Sequence, residues 1–285
     1  MSTDTLTAII NIINSEAVAL DGNLKSASNR ANLMGDALEE YIQEAYSGTI
    51  NEANRELKLK RIDDVFSYTG NNSNPPDGMI KGGEAIEVKK IESRSSQLQL
   101  NSSNPKSKLY KSDPRLNSKA ISAEEWTEKD FVYIVGFIDK KSNSLKELAF
   151  IDSSLYCADK EIYDKPFTKI KEGILEIPNV EFNTSTKELG RVNKVDPLGI
   201  ASLRIRGMWL LDNPFKVFSD IYKPQDGDFN LFALISDERF ESSSNKDELI
   251  KMSKSITNLT IIDEIVKNPN NPAKLKHCKK ITFHF

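Results

Sequence analysis

Two short apolar runs, residues 77–80 and 85–91, flank the tetrad Lys81-Gly82-Gly83-Glu84 and read as strands joined by a glycine-mediated hairpin. Side chains alternate faces along a strand, so Glu87 and Lys89 project from one side while Ile86 and Val88 turn to the core. The hairpin folds Asp77 back towards that charged side. Two carboxylates at one point form a hard, oxygen-rich site of the kind Mg²⁺ prefers, with water and a substrate phosphate completing the shell. Asp77, Glu87 and Val88 are therefore the candidate metal contacts. Lys89 alongside can hold or activate a water and balance charge on a phosphorane-like transition state. As a bare pattern this spacing arises by chance in roughly one chain in ten. The alternative is that Glu87 and Lys89 are a solvent-facing strand pair and Asp77 a turn residue.

The rest of the chain supplies a frame for that hairpin. Residues 6–19 carry Ile9, Ile10, Ile13 and Val18 at helical spacing. A second helix is expected from near Ser28, with Arg30 in its first turn, to a stop at Gly48. On it Gly35, Leu38, Glu39, Ile42 and Tyr46 share one side, which puts Glu39 on or beside the packed face. Residues 131–138 and 148–156 flank a polar turn and predict a second strand pair; 200–211, 229–235 and 281–285 are further strand candidates. Residues 243–267 read as mainly helical, and the Ser/Asn-rich 93–118 as a long loop.

Charge is distributed unevenly. Across 285 residues, 39 Lys+Arg stand against 42 Asp+Glu, which excludes a polycation but not a binder whose basic residues are concentrated in one region. Residues 81–119 hold nine Lys or Arg against four acids, whereas residues 1–60 run acidic. A solvated loop is the ordinary reading of such a run; a phosphate-contacting one is the other. No stretch reaches the ~20 apolar residues of a membrane span. Met1 to Asn14 lacks a cationic leader, and Cys157 and Cys278 stand far apart without a CxxC, so a cytoplasmic, disulfide-free protein is expected.

The segments 34–42 (MGDALEEYI), 74–77 (NPPD) and 83–92 (GEAIEVKKIE), extending to 109–110 (LY), resemble the PD-(D/E)xK nucleases, specifically type II restriction endonucleases of the NgoPII family. The resemblance implies an α/β fold, a central mixed β-sheet flanked by helices in a restriction-endonuclease-like core. It also implies Mg²⁺-dependent cleavage of double-stranded DNA by a homodimer at a short palindrome, GGCC for this group, with a cognate DNA methyltransferase as functional partner. Residue by residue, it makes Asp77 and Glu87 metal ligands, Lys89 the catalytic lysine, and Glu39 the helix carboxylate of a Gly-x-x-x-Glu arrangement that starts at Gly35. A single domain over 1–285 is expected, with a helical part at 1–60, the catalytic hairpin at 75–92 and DNA-recognition elements at 93–120 and 190–210. The expected DNA contacts are Arg30, Lys90, Arg94, Lys106, Lys108 and Lys111, together with Arg191, Asn193, Lys194, Arg204 and Arg206, the last two sharing a strand face. A junction-resolving or repair nuclease of the same superfamily and a non-catalytic DNA-binding module are the competing readings.

Overall fold

The structure is a computed structural model that describes residues 3–15, 30–70, 75–177, 180–181, 189–193 and 195–285. The chain opens with helices α1 (Thr5–Ser15), α2 (Arg30–Ser47) and α3 (Arg55–Val65), then strands β1 (Phe66–Tyr68), β2 (Gly78–Ile80) and β3 (Ala85–Ile91). Strands β4 (Gln97–Gln99) and β5 (Lys108–Tyr110), helix α4 (Ser118–Ser122), and strands β6 (Glu128–Asp139) and β7 (Ser144–Asp152) follow. Helix α5 (Lys160–Leu175) leads to strands β8 (Val180–Glu181), β9 (Gly190–Val192), β10 (Leu203–Ile205) and β11 (Leu210–Asp212). The chain closes with α6 (Pro214–Val217), β12 (Asn230–Ser236), α7 (Asp237–Ser242), α8 (Lys246–Ser255), β13 (Leu259–Asn268) and β14 (Asn271–His284).

The main sheet runs β1-β2-β3-β6-β7-β12-β14-β13, with β5 also paired to β6. It is mixed: β3 pairs parallel to β6 and β7 parallel to β12, while the other neighbours are antiparallel. Both faces are covered, as parallel pairs require. On one face Ile86 and Val88 of β3 and Val132 and Ile134 of β6 pack in a single core with Leu38, Ile42 and Tyr46 of α2. On the other, Ala85, Ile91, Tyr133 and Val135 join Leu109, Trp126, Phe215 and Tyr222. Gly136 fixes how closely α2 approaches, because a Cβ there would lie 2.8 Å from a Leu38 methyl. Glu84 anchors the hairpin turn: it accepts a hydrogen bond from Tyr46 Oη at 2.8 Å, another from Thr5, and pairs with Arg239 of α7.

Several expectations need correction. The helical part expected over 1–60 runs on to Val65, where residues 55–65 bury only Ile62 and the Asn54 side chain caps the start by accepting from the N–H groups of Glu56 and Leu57. Residues 200–211 are not one strand, because Gly207 separates β10 from β11 and neither joins the main sheet. The helix expected over 243–267 ends at Ser255, since β-branched Thr260, Ile261, Ile262, Ile265 and Val266 favour β13 and the Asn/Pro-rich 268–272 turns the chain into β14. The presumed loop 93–118 contains β4 and β5 and buries Ser103, Asn104, Lys106 and Ser107. Residues 16–19 of the first expected helix lie outside the described residues. Among the described residues no helix is long and apolar enough to cross a membrane.

Candidate active site

The β2–β3 hairpin brings its three charged side chains to one point. The backbone N–H of Asp77 donates to the Ile86 carbonyl at 3.0 Å, which holds Asp77 against β3 just ahead of β2. Its Oδ2 accepts the Val88 N–H at 2.7 Å and Lys89 Nζ at 3.2 Å. The same ammonium lies 2.7 Å from Glu87 Oε1 and donates to the Val88 carbonyl at 3.1 Å. One cation thus touches all three groups expected to hold a metal.

Burial sets the electrostatics. Glu87 is only 8% exposed, and its Oε2 is enclosed without a hydrogen-bond partner. Burial pushes its carboxyl up to about 7; the charge of Asp77 adds to the rise, while Lys89 and, more weakly, Lys106 oppose it. Burial alone would depress Lys89, but Glu87 and Asp77 carry it above the ordinary lysine value. A carboxylate oxygen buried without a donor, beside a second carboxylate and a carbonyl, is a donor set suited to a hard divalent ion. Among the described residues no three His, Cys, Asp or Glu side chains are grouped to hold a metal, so the candidate donors here are two carboxylates and a main-chain oxygen.

Glu39 comes from the helix side. It is half-buried on α2, whose packed residues share the core with Ile86 and Val88, the face of β3 opposite Glu87 and Lys89. Lys90 projects to that same face and lies 3.7 Å from Glu92.

The expected DNA contacts differ in burial and in the partners they keep. Lys106 is a correction: it is 6% exposed and ion-paired with the equally buried Asp113, which removes it from any phosphate. Its main-chain N–H donates to Tyr133 Oη at 3.3 Å, and Tyr133 stands beside Glu87 in the β3–β6 register, so Lys106 supports the site from within. Nothing in the Ser/Asn-rich composition of that segment signalled this; the Asp seven residues on was its one trace. Arg94 Nη2 lies 2.5 Å from the buried Glu147, with its guanidinium over Phe137. Lys108 pairs with Glu128 at 2.7 Å and Asp130 at 3.7 Å. Lys111 is half-buried. Arg191, Arg204 and Arg206 are exposed, and Arg191 faces Arg204 directly across β9 and β10; Asn193 is half-buried beside them. The Arg30 side chain and Lys194 lie outside the described residues.

Comparison with known proteins bears on the whole chain. Residues 3–267 match the NgoPII restriction endonuclease family. The chain is 50% identical over 278 residues to the type II restriction enzyme NgoPII of Neisseria gonorrhoeae, an alignment covering 97% of this chain and 98% of that protein. No solved structure matches.

Proposed function

This chain belongs to the NgoPII restriction endonuclease family and is a type II restriction endonuclease, and from that premise we propose that Asp77, Glu87 and Lys89 carry out its phosphodiester hydrolysis with Mg²⁺. The observation that supports the reading is the single Lys89 ammonium shared by Asp77, Glu87 and the Val88 carbonyl, because oxygens arranged around one cation suit another. The chemistry supplied by bound Mg²⁺ is polarisation of the scissile phosphate and acidification of a water. Asp77 and Glu87 would hold the ion, with the Val88 carbonyl as the neutral third donor.

Lys89 then acts as a fixed cation beside the reacting phosphate. It orients the water and offsets the negative charge that accumulates as the water oxygen bonds to phosphorus. The phosphorus–oxygen bond to the leaving nucleotide breaks with its electron pair going to the departing oxygen, which takes a proton from solvent as the attacking water gives one up. Glu39, on the helix whose packed residues meet β3, completes the catalytic set in this reading. The substrate is double-stranded DNA at a short palindrome, GGCC, cut by a homodimer and protected in the host by a cognate methyltransferase. Arg30, Lys111, Arg191, Asn193, Lys194, Arg204 and Arg206 are the DNA contacts in this reading.

Digestion of unmethylated phage DNA with Mg²⁺, followed by sequencing of the fragment ends, tests the reading. Discrete fragments with one shared end sequence are expected. Random degradation, or no cleavage by freshly folded protein, would overturn it.

A further inference from the structure

Glu87 and Lys89 are set in place by the ladder of β3 on β6, but Asp77 lies ahead of β2 and takes its position from the main chain around it. On one side its N–H is held by the Ile86 carbonyl at 3.0 Å. The residue after it, Gly78, fits without slack, because a Cβ there would lie 3.0 Å from both the Phe66 ring and Ile86 Cγ1. On the other side stands Gly70. Tyr68 pairs with Met79 across β1 and β2, and two further steps of that antiparallel register bring Gly70 opposite Asp77. A Cβ on Gly70 would stand 2.5 Å from the Asp77 carbonyl oxygen and 3.1 Å from both its carbonyl carbon and its Cα. Those separations fall well inside the ~3.5–4 Å of ordinary carbon contacts. Gly70 also has φ +81°, a conformation glycine adopts without strain.

β1 has little freedom to step aside for a side chain at this point. Phe66 is buried in the core that holds Ile86 and Val88. Tyr68 Oη accepts from Asn117 Nδ2 at 2.6 Å, and Asn117 Oδ1 accepts the Ala120 N–H at 2.8 Å at the start of α4. Ser67 Oγ donates to Glu124 Oε1 at 2.8 Å, while Glu124 Oε2 accepts the Gly82 N–H at 2.7 Å. β1, α4 and the turn of the hairpin are thus tied together. The Asp77 carboxylate is held more lightly, through one oxygen that accepts the Val88 N–H and Lys89 Nζ. Pressure from residue 70 is therefore relieved most readily at Asp77.

We propose that Gly70 is a positioning residue for the metal-holding site: the absence of a side chain there lets Asp77 lie against β3, and any Cβ at residue 70 displaces its carboxylate. The inference rests on the reading of Asp77 as a metal ligand given above. A glycine needed for its turn alone would require the positive φ but not the close contact. Gly48, just past the end of α2, is of that kind, with φ +67° and a Cβ that would meet Asn11 Nδ2 at an ordinary 3.5 Å.

The test uses the whole protein, with Ca²⁺ affinity measured by calorimetry and single-turnover cleavage measured in Mg²⁺. Gly70→Ala should bind Ca²⁺ at least about tenfold more weakly and cut about 100-fold more slowly, the scale of loss for a misplacement of ~1 Å. Gly48→Ala carries a similar conformational cost without the contact, so it should melt lower than wild type yet keep its Ca²⁺ affinity and cleavage rate. Asparagine enters the positive-φ region more readily than alanine but still has a Cβ. Gly70→Asn should therefore melt above Gly70→Ala and share its weak Ca²⁺ binding. In an Asp77→Asn background, Gly70→Ala should cost little further Ca²⁺ affinity, because both changes act on one carboxylate. Wild-type Ca²⁺ affinity in the two Gly70 variants, or a loss that adds in full to that of Asp77→Asn, overturns the positioning role. So does failure of both Gly70 variants to fold, since the displacement would then not be confined to Asp77. Asp77→Asn that binds Ca²⁺ as well as wild type overturns instead the reading of the metal site on which the inference rests.

Discussion

Metal affinity should depend steeply on pH, and Glu87 is the reason. Burial, reinforced by the Asp77 charge and partly offset by Lys89, pushes its carboxyl up to about 7. A divalent ion needs the ionised form, of which roughly one tenth is present at pH 6 and nine tenths at pH 8. Affinity should therefore fall about tenfold per pH unit below 7, on the order of 1.4 kcal/mol each. Binding should release close to one proton at pH 6 and almost none at pH 8. The sign for stability is opposite: the folded state holds this proton more tightly than the unfolded chain, so the metal-free protein loses stability as pH rises from about 4 towards 7. Saturating Ca²⁺ should cancel that loss. Titration calorimetry of Ca²⁺ in two buffers of different ionisation enthalpy counts the protons directly, and Glu87→Gln should abolish their release. A proton count that does not change between pH 6 and 8, or one that survives in Glu87→Gln, would refute the assignment.

Asp77→Asn and Lys89→Ala should each abolish cleavage in Mg²⁺ while specific binding in Ca²⁺ persists, as digestion and gel-shift assays on the same DNA would show; near-normal cutting by Lys89→Ala removes the lysine from the chemistry. Lys106→Met should lower stability in urea by about 3–5 kcal/mol by leaving Asp113 buried without its cation, with no change in the salt slope of DNA binding, a result that a phosphate-contacting lysine would not give. Despite its burial, Asp113 is held below the usual carboxylate range by Lys106 and the Arg115 N–H; its contribution is present above its unfolded value and is lost as pH falls through the folded one, so the gap between wild type and Lys106→Met should narrow under acid. Glu39→Gln should slow single-turnover cleavage at least about tenfold, some 1.4 kcal/mol of barrier, with little change in melting; equal rates would leave Glu39 a purely structural role.

The parts of the fold that could be read from sequence are those in which one period persists over a whole element. Leu38, Ile42 and Tyr46 repeat at helical spacing and are all buried in α2; Ile86 and Val88 alternate with Glu87 and Lys89 along β3 as expected. Residues 243–267 misled because helix-favouring Lys, Glu, Leu and Met run without a break into β-branched residues, and the boundary is set by the pairing of β13 with β14. In the hairpin, residue types announced the carboxylates and the lysine. The spacing also placed Val88 between them, but the reach of one ammonium to both carboxylates and the Val88 carbonyl depends on side-chain geometry that strand alternation does not give. Tyr133 and Lys106 were hidden for a related reason: what brings them to Glu87 is the parallel register of β3 on β6 and a buried pair closed by Asp113.

The basic excess in residues 81–119 shows why a count of charges does not locate a DNA path. Much of that charge is matched by partners distant in sequence or inside the protein: Arg94 by Glu147, Lys108 by Glu128 and Asp130, Lys106 by Asp113, Lys89 by Asp77 and Glu87. These pairs cross-link strands and cover buried carboxylates, so a polyanion would have to compete with groups already fixed at hydrogen-bonding distance. On the β9–β10 ladder the cross-strand neighbours are mixed, with Arg191 opposite Arg204 on one side and opposite Glu181 of β8 on the other. A count of basic residues along 81–119 therefore measures how firmly that segment is tied to the strands around it, and the segment richest in lysine serves mainly to hold β3 and its neighbours in place.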